Sequence, residues 1–422
     1  MGQINMKVLW ITNTIFPIPS KELGIPTPFV GGWMYSSAEY LVDFYANIKL
    51  GVAALYSGKS LKILHSGGIT YFLLPRSVPK YLYDKKLESV WKEVQKNFNP
   101  DLVHIHGSEY PYGLSYINAC GNKNVVMSVQ GLVSVIERYY LGGINKEDLQ
   151  KSKTLRDWVK HDSVFRQRRR MQKQGEFERL LIGKIRHVIG RTSWDKAHVW
   201  AINNEAHYNF CNETLRKEFY EHSWRQDNCT KHQIFLGQSY YPLKGLHQVI
   251  KALPLILKYY PDTKVFIAGE DFVNNIKAWR LKGYGKYIRA LIKRTGVEGK
   301  IIFTGVLPEK MMCEKYLESN VFVCPSSIEN SSNSIGEAQL LGVPCVASYV
   351  GGTMDMVIHE KTGLLYRFEE TEMLAEEVCR IFSDVNLAGS LSKNGRIAAL
   401  QRHNRKQNIE KLYTVYKEIC RE

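Results

Sequence analysis

With 422 residues, 44% apolar and 23% charged, the chain is too long for one hydrophobic core and too ordinary in composition for a disordered or fibrous class, so two domains are expected. No run approaches the ~18 consecutive apolar residues of a membrane span, which argues against a helical membrane protein. The 57 Lys and Arg against 41 Asp and Glu leave a charge of +16, an excess suited to an anionic partner or surface.

The start of the chain, Met1 to Ile11, reads as a buried strand rather than a secretion signal. Lys7 interrupts its apolar run, and no small-residue cleavage site follows. A cytoplasmic protein is therefore expected. The eight cysteines are scattered without C-x2-C spacing, as reduced, buried thiols would be. In the first half, short apolar runs predict strands over residues 7–12, 62–64, 102–105, 125–129 and 187–190, with amphipathic helices between most of them. Residues 151–191 hold thirteen basic and four acidic side chains, centred on "RQRRRMQKQ" (166–174). Such a segment is a solvated helix face, a surface resting on anionic lipid, or a nucleic-acid contact.

The polar run "EHSWRQDNCT" (221–230) reads as a linker. Beyond it, strands are expected over 233–236, 264–268, 300–304, 321–324, 344–347 and 363–365, each followed by a helical pattern. Alternation of this kind predicts an α/β protein with two doubly wound parallel sheets facing a cleft. Ligands then bind in loops at the C-terminal strand ends. The expected domains are 1–225 and 226–403, with a last helix over about 404–422 returning to the first.

One such loop is "SSIENSSNSIGEAQLLG" (326–342). Pro325 ends the strand before it, a helix should start near 332–334, and Gly342 should stop that helix. Glu337 is then expected in its first turn. A helix N-terminus suits a phosphate, which a neighbouring carboxylate would repel, so Glu329 and Glu337 must serve another part of the ligand. A carboxylate accepts two hydrogen bonds from a vicinal diol. One glutamate on a ribose and one on a sugar, with a diphosphate between them, make a nucleotide-sugar site. The plainer alternative makes Glu337 a first-turn acid worth about 0.3–1 kcal/mol against the helix dipole, and Glu329 a surface residue.

The run from Ser326 through "GVPCVASYVGGTMDMVIHEKTGLL" resembles the E-x7-E signature and Gly-Gly loop of retaining GT-B glycosyltransferases of the family 4-like, group 1 type, which include bacterial capsule and lipopolysaccharide sugar transferases. "IFLGQSYYPLKGLHQVIKAL" (234–253), "VFIAGE" (265–270) and "IIFTGVLPEKMMCEKYLESNVFVCPS" resemble the segments that precede the signature. "VLWITNTIFP", "GGWMYSSAEYLVDFYA" and "DLVHIHGSEY" follow the family order more loosely.

The resemblance implies a GT-B fold of two Rossmann-like domains and assigns roles. Glu329 would meet the transferred sugar, Glu337 the ribose, and the backbone of Asn333, Ser334 and Ile335 the diphosphate or sugar. Lys244 would neutralise the departing diphosphate. Gly237 and Gln238 would line the phosphate loop, and Gly31 and Gly32 would close over it from the first domain. Gln238 stands where the family often has an arginine. Arg191 could supply that charge, or could pair internally with Asp195. Gln130 occupies the family's histidine position and cannot titrate; with His106 it is a candidate for acceptor contact, the plain reading of His106 being a satisfied structural histidine.

The implied activity is retaining hexosyl transfer from a nucleotide-sugar donor to a glycan or lipid-linked acceptor in cell-surface polysaccharide synthesis. It would need neither metal nor other cofactor, nor nucleic acid, and would run in the cytoplasm with the basic segment on the inner membrane leaflet. A GT-B phosphorylase or nucleotide-sugar epimerase is the alternative enzyme, and a basic nucleic-acid-binding protein the alternative of another class.

Overall fold

The computed structural model describes residues 5–26, 32–274 and 276–422. Contacts group the chain into two units, one of Met1–Glu137, Arg170–Leu215 and His403–Glu422, the other of Arg138–Arg169 and Arg216–Arg402.

The first unit is built on β1 (Met6–Thr12), β2 (Ile48–Tyr56), β3 (Lys62–Ser66), β4 (Ile69–Pro75), β5 (Leu102–His106), β6 (Val125–Ser128), β7 (His187–Gly190) and β8 (His207–Phe210). Their order is β3-β4-β2-β1-β5-β6-β7-β8, parallel throughout except for the β3–β4 hairpin. Successive residues of β1 serve opposite faces, as the twofold period of a strand requires. Leu9 and Ile11 join Trp91, Ile105 and Met127, whereas Val8 and Trp10 join Met34, Leu41 and Tyr416. Tyr416 comes from the last helix, Arg405–Ile419; its hydroxyl accepts the Trp10 indole N–H at 2.9 Å and lies 2.6 Å from His104 Nδ1.

The second unit carries six parallel strands: β9 (Thr230–Leu236), β10 (Lys264–Ile267), β11 (Ile301–Phe303), β12 (Ser319–Cys324), β13 (Cys345–Ser348) and β14 (Leu364–Tyr366). Their order, β11-β10-β9-β12-β13-β14, is that of a doubly wound sheet, whose connections reverse direction between β9 and β12. Ligands of such sheets bind outside the carboxyl ends of the strands at that reversal. Here those ends lead into residues 237–245 and 325–332. The 233–236 and 321–324 runs thus lie where a ligand site is expected.

Two expectations are corrected. Residues 221–230 are not a free linker: Trp224 is buried, and its indole N–H donates to the Ser319 carbonyl at 2.8 Å. The chain passes between units at 215/216 instead. Residues 138–169, placed with the first domain by sequence, make their contacts in the second unit. Ser327 Oγ donates to the Tyr139 carbonyl at 3.0 Å, His247 Nε2 lies 2.7 Å from the Gly142 carbonyl, and the Gly283 N–H donates to Asp157 at 2.9 Å. None of the described helices is long and apolar enough to cross a membrane.

Candidate active site

The two loops at the reversal of the second sheet hold each other. After β9 the chain makes a single turn, Pro242–Lys244, and Gly245 starts the following helix with φ +72°. A Cβ on Gly245 would stand 1.6 Å from the Pro325 carbonyl oxygen, so both the backbone conformation and the approach of the second loop require glycine. The Ser327 N–H donates back to the Leu243 carbonyl at 2.8 Å.

This stitching brings Lys244 to Glu329. Nζ donates to Oε1 at 2.6 Å, and Ser326 Oγ donates to the same oxygen at 2.7 Å. Burial pulls the Lys244 ammonium toward lower pKa, but the Glu329 carboxylate, with Tyr241 and Cys324 adding to it, leaves the pKa raised, so the lysine stays charged. The loop after β13 seats against the backbone of Glu329. The Gly352 N–H donates to the Glu329 carbonyl at 3.0 Å, and Gly351, at φ +53°, passes so close that a Cβ would lie 2.0 Å from that oxygen.

The helix Asn333–Leu341 begins where expected and is stopped by Gly342 at φ +79°. Ser332 gives it no side-chain cap, and helix geometry leaves the N–H groups of Asn333, Ser334 and Ile335 without intrahelical acceptors. Gly237 abuts this helix start: a Cβ there would meet Ser334 Oγ at 3.1 Å. Gln238 is exposed.

Glu337 is the fifth helical residue, with no acid in the first turn, so the expectation of a first-turn position is corrected. The dipole alternative weakens with it, because that effect fades beyond the first turn. Glu337 is instead buried and gripped by Arg216, Nε to Oε1 at 2.7 Å and Nη2 to Oε2 at 2.8 Å. The guanidinium also lies over the Phe219 ring, 4.5 Å from its centroid. Burial pushes the Glu337 carboxyl above its usual range while Arg216 pulls the other way. Arg216 escaped the sequence reading, since no local motif marks a partner 121 residues away. Each carboxylate is thus held by its own cation beside an uncapped helix start.

The first unit places its candidates differently. Arg191 is buried; its guanidinium forms an ion pair with Glu213 and donates to the Val129 carbonyl. Asp195 accepts the Arg191 backbone N–H at 3.0 Å, so the side-chain pair expected with Asp195 forms with Glu213. His106, at the end of β5, is buried, stacked on His104 with ring centroids 3.7 Å apart, and packed on Trp10 at 4.3 Å. Among the described residues neither ring nitrogen has a hydrogen-bond partner, and burial holds its pKa down to about 3. It is neutral at any ordinary pH. The "satisfied histidine" reading is therefore corrected: its ring is packed but its nitrogens are not satisfied. The Gln130 amide oxygen accepts from Asn13 Nδ2 at 3.4 Å. Gly32 opens the helix Gly32–Phe44, and Gly31 lies outside the described residues. Among the described residues, no three His, Cys, Asp or Glu side chains converge as a metal-ligand set.

Comparison with solved structures defines the fold. The sucrose-phosphate synthase of Thermosynechococcus elongatus superposes with a TM-score of 0.72 over 98% of this chain and 99% of its own, at 16% identity. Anabaena HepE, solved in complex with UDP-glucose, does so at 0.65 over 98% and 100%, at 15% identity. The fold is GT-B, two Rossmann-like α/β domains.

Family comparison adds to this: residues 221–398, within the second unit, match the family model "Glycosyl transferases group 1". The capsular polysaccharide biosynthesis glycosyltransferase CapM of Staphylococcus aureus is 29% identical over 187 residues, 42% of this chain and 44% of CapM. The chain aligns with less than half the length of this and other curated relatives.

Proposed function

We propose that the protein transfers a hexosyl group, with retention of anomeric configuration, from a nucleotide-sugar donor to a glycan or lipid-linked acceptor in cell-surface polysaccharide synthesis. The observation that carries this reading is the pair of carboxylates, Glu329 and Glu337, each paired with a cation on either side of the uncapped start of the helix Asn333–Leu341. The UDP-glucose bound to a protein of the same fold and the capsular role of a relative support the donor and acceptor classes.

The arrangement has a direct chemical use. A diphosphate at the helix start competes with the carboxylates for Lys244 and Arg216. Glu337 is then released to accept the ribose hydroxyls, and Glu329 to accept those of the sugar. As the acceptor hydroxyl attacks the anomeric carbon from the leaving-group face, the carbon–oxygen bond to phosphate breaks. The departing phosphate oxygen takes the acceptor's proton, and the nucleoside diphosphate leaves with its growing charge countered by Lys244 and the helix N–H groups. No enzymic nucleophile and no metal enter this scheme. His106 and Gln130 would contact the acceptor, His106 only as a neutral hydrogen-bonding ring. Arg191 has no role in the scheme, being committed to Glu213.

Thermal-shift screening against UDP, GDP and their sugars identifies the donor. With that donor, Glu329→Ala should lower kcat/KM by about 10²–10³. Turnover surviving removal of both carboxylates would refute the reading.

A further inference from the structure

Residues 138–169 build a second feature of the second unit. Its short helix Leu155–Val159 and the turn Ala278–Arg280 border a groove of about 540 Å³. Soluble surfaces rarely gather large apolar side chains in one place, yet Leu155 is 77% exposed, Trp158 71%, Val159 56% and Trp279 65%. Leu155, Val159 and Trp279 line the groove together with Ile276.

Basic side chains share the same rim. Lys160, Arg280 and Lys282 line it. Arg280 lies over the Trp279 ring at 4.6 Å and Lys282 over Tyr240 at 4.2 Å, leaving their stems on apolar surface and their charges at the edge. The two acids of residues 155–162 are already engaged. Asp162 pairs with Arg156 at 2.7 Å, and buried Asp157 accepts the Gly283 N–H and caps its own helix. Exposed tryptophan and aliphatic side chains ringed by lysine and arginine are complementary to one surface above others, a bilayer whose phosphates meet the cations and whose acyl region takes the rings.

We propose that this groove is the docking surface of the protein on an anionic membrane. It deepens the membrane contact expected from the basic segment by moving it from "RQRRR" to the preceding helix. The helix Val164–Ile182 exposes Arg166, Arg169, Gln172, Lys173, Glu176, Arg179 and Leu180, a face with charge but little apolar area. Stable attachment takes both kinds of attraction. The inference rests on the proposed lipid-linked acceptor only for its purpose, not for its geometry.

Co-sedimentation of the full chain with vesicles of phosphatidylcholine alone, and of equimolar phosphatidylcholine and phosphatidylglycerol, tests it. Wild type should pellet with the anionic vesicles and less so at high salt. The double variant Leu155→Ser/Trp279→Ser should lose binding by about tenfold or more, and Lys160→Glu/Arg280→Glu should weaken it similarly. Each variant should keep the wild-type thermal shift with the donor nucleotide, which shows that it folds and that the carboxylate site is intact. Arg166→Glu/Arg169→Glu/Lys173→Glu should bind vesicles much as wild type does. Failure of wild type to bind anionic vesicles at low salt would overturn the proposal, as would loss of binding only in the 166–173 variant. In either case the sugar-transfer reading would stand, because the nucleotide shift tests it separately.

Discussion

Each unit buries an arginine or lysine against a glutamate, and the two kinds of pair differ in what surrounds them. The side chains of Arg191 and Glu213 in the first unit are 5% and 10% exposed, and the guanidinium also donates to the Val129 carbonyl. In the second unit, Lys244 and Glu329 are 17% and 13% exposed, beside a helix start whose N–H groups lack a side-chain cap. A pair closed off from solvent fixes a fold. A pair that solvent reaches, next to a helix start without a side-chain cap, can be exchanged for a ligand.

Substitutions can break that distinction. The largest effect is expected from Arg191→Met. It would leave Glu213, a carboxyl that burial already pushes up to about 7 against the pull of Arg191, without its cation, at a cost of about 3–5 kcal/mol in denaturant unfolding. Donor affinity in the surviving folded fraction should be unchanged; a weakened donor would make Arg191 part of the site after all. Lys244→Met should reverse the pattern, lowering kcat/KM by about 10²–10³, with product release followed at saturating donor.

The smallest effect concerns Glu109. Burial pushes its carboxyl up to about 7, with Glu178 adding to the rise and Arg191 opposing it. Because the folded state then holds this proton more tightly than the unfolded state, stability falls as pH rises from about 4.5 to 7. Glu109→Gln should remove about 1–3 kcal/mol of that slope, as read from urea midpoints across the range.

The second sheet was legible strand by strand because parallel strands covered on both faces read as continuous apolar runs. "VFVC" and "CVA" are such runs. In the first sheet, β2 was overlooked because Gly51, Ala53 and Ala54 dilute the pattern of "IKLGVAALY". The polar edge strand "HYNF", β8, lacks an apolar run altogether. The Gly67–Gly68 turn, with φ +60° and +74°, is the local sign of the β3–β4 hairpin, although β4 was not read from it.

At the site, the loop of Glu329 and the helix start are legible because Pro325 ends the strand before them and Gly342 stops the helix, whereas Lys244 is singled out only by the family resemblance of "PLKG". What the sequence withheld was pairing across distance: Arg216 with Glu337, Arg191 with Glu213, and the insertion 138–169 with the second sheet. Long-range contacts of this kind leave no local periodicity.

The threading of the chain bears on its birth. The first unit needs the helix Arg405–Ile419, whose Tyr416 hydrogen-bonds to Trp10 in its first strand. The second needs residues 138–169, made long before its sheet. Neither therefore corresponds to one continuous stretch leaving the ribosome. The earlier-made half must wait, with part of one sheet face uncovered, until the helix Arg405–Ile419 emerges, a period during which chaperone engagement is most useful.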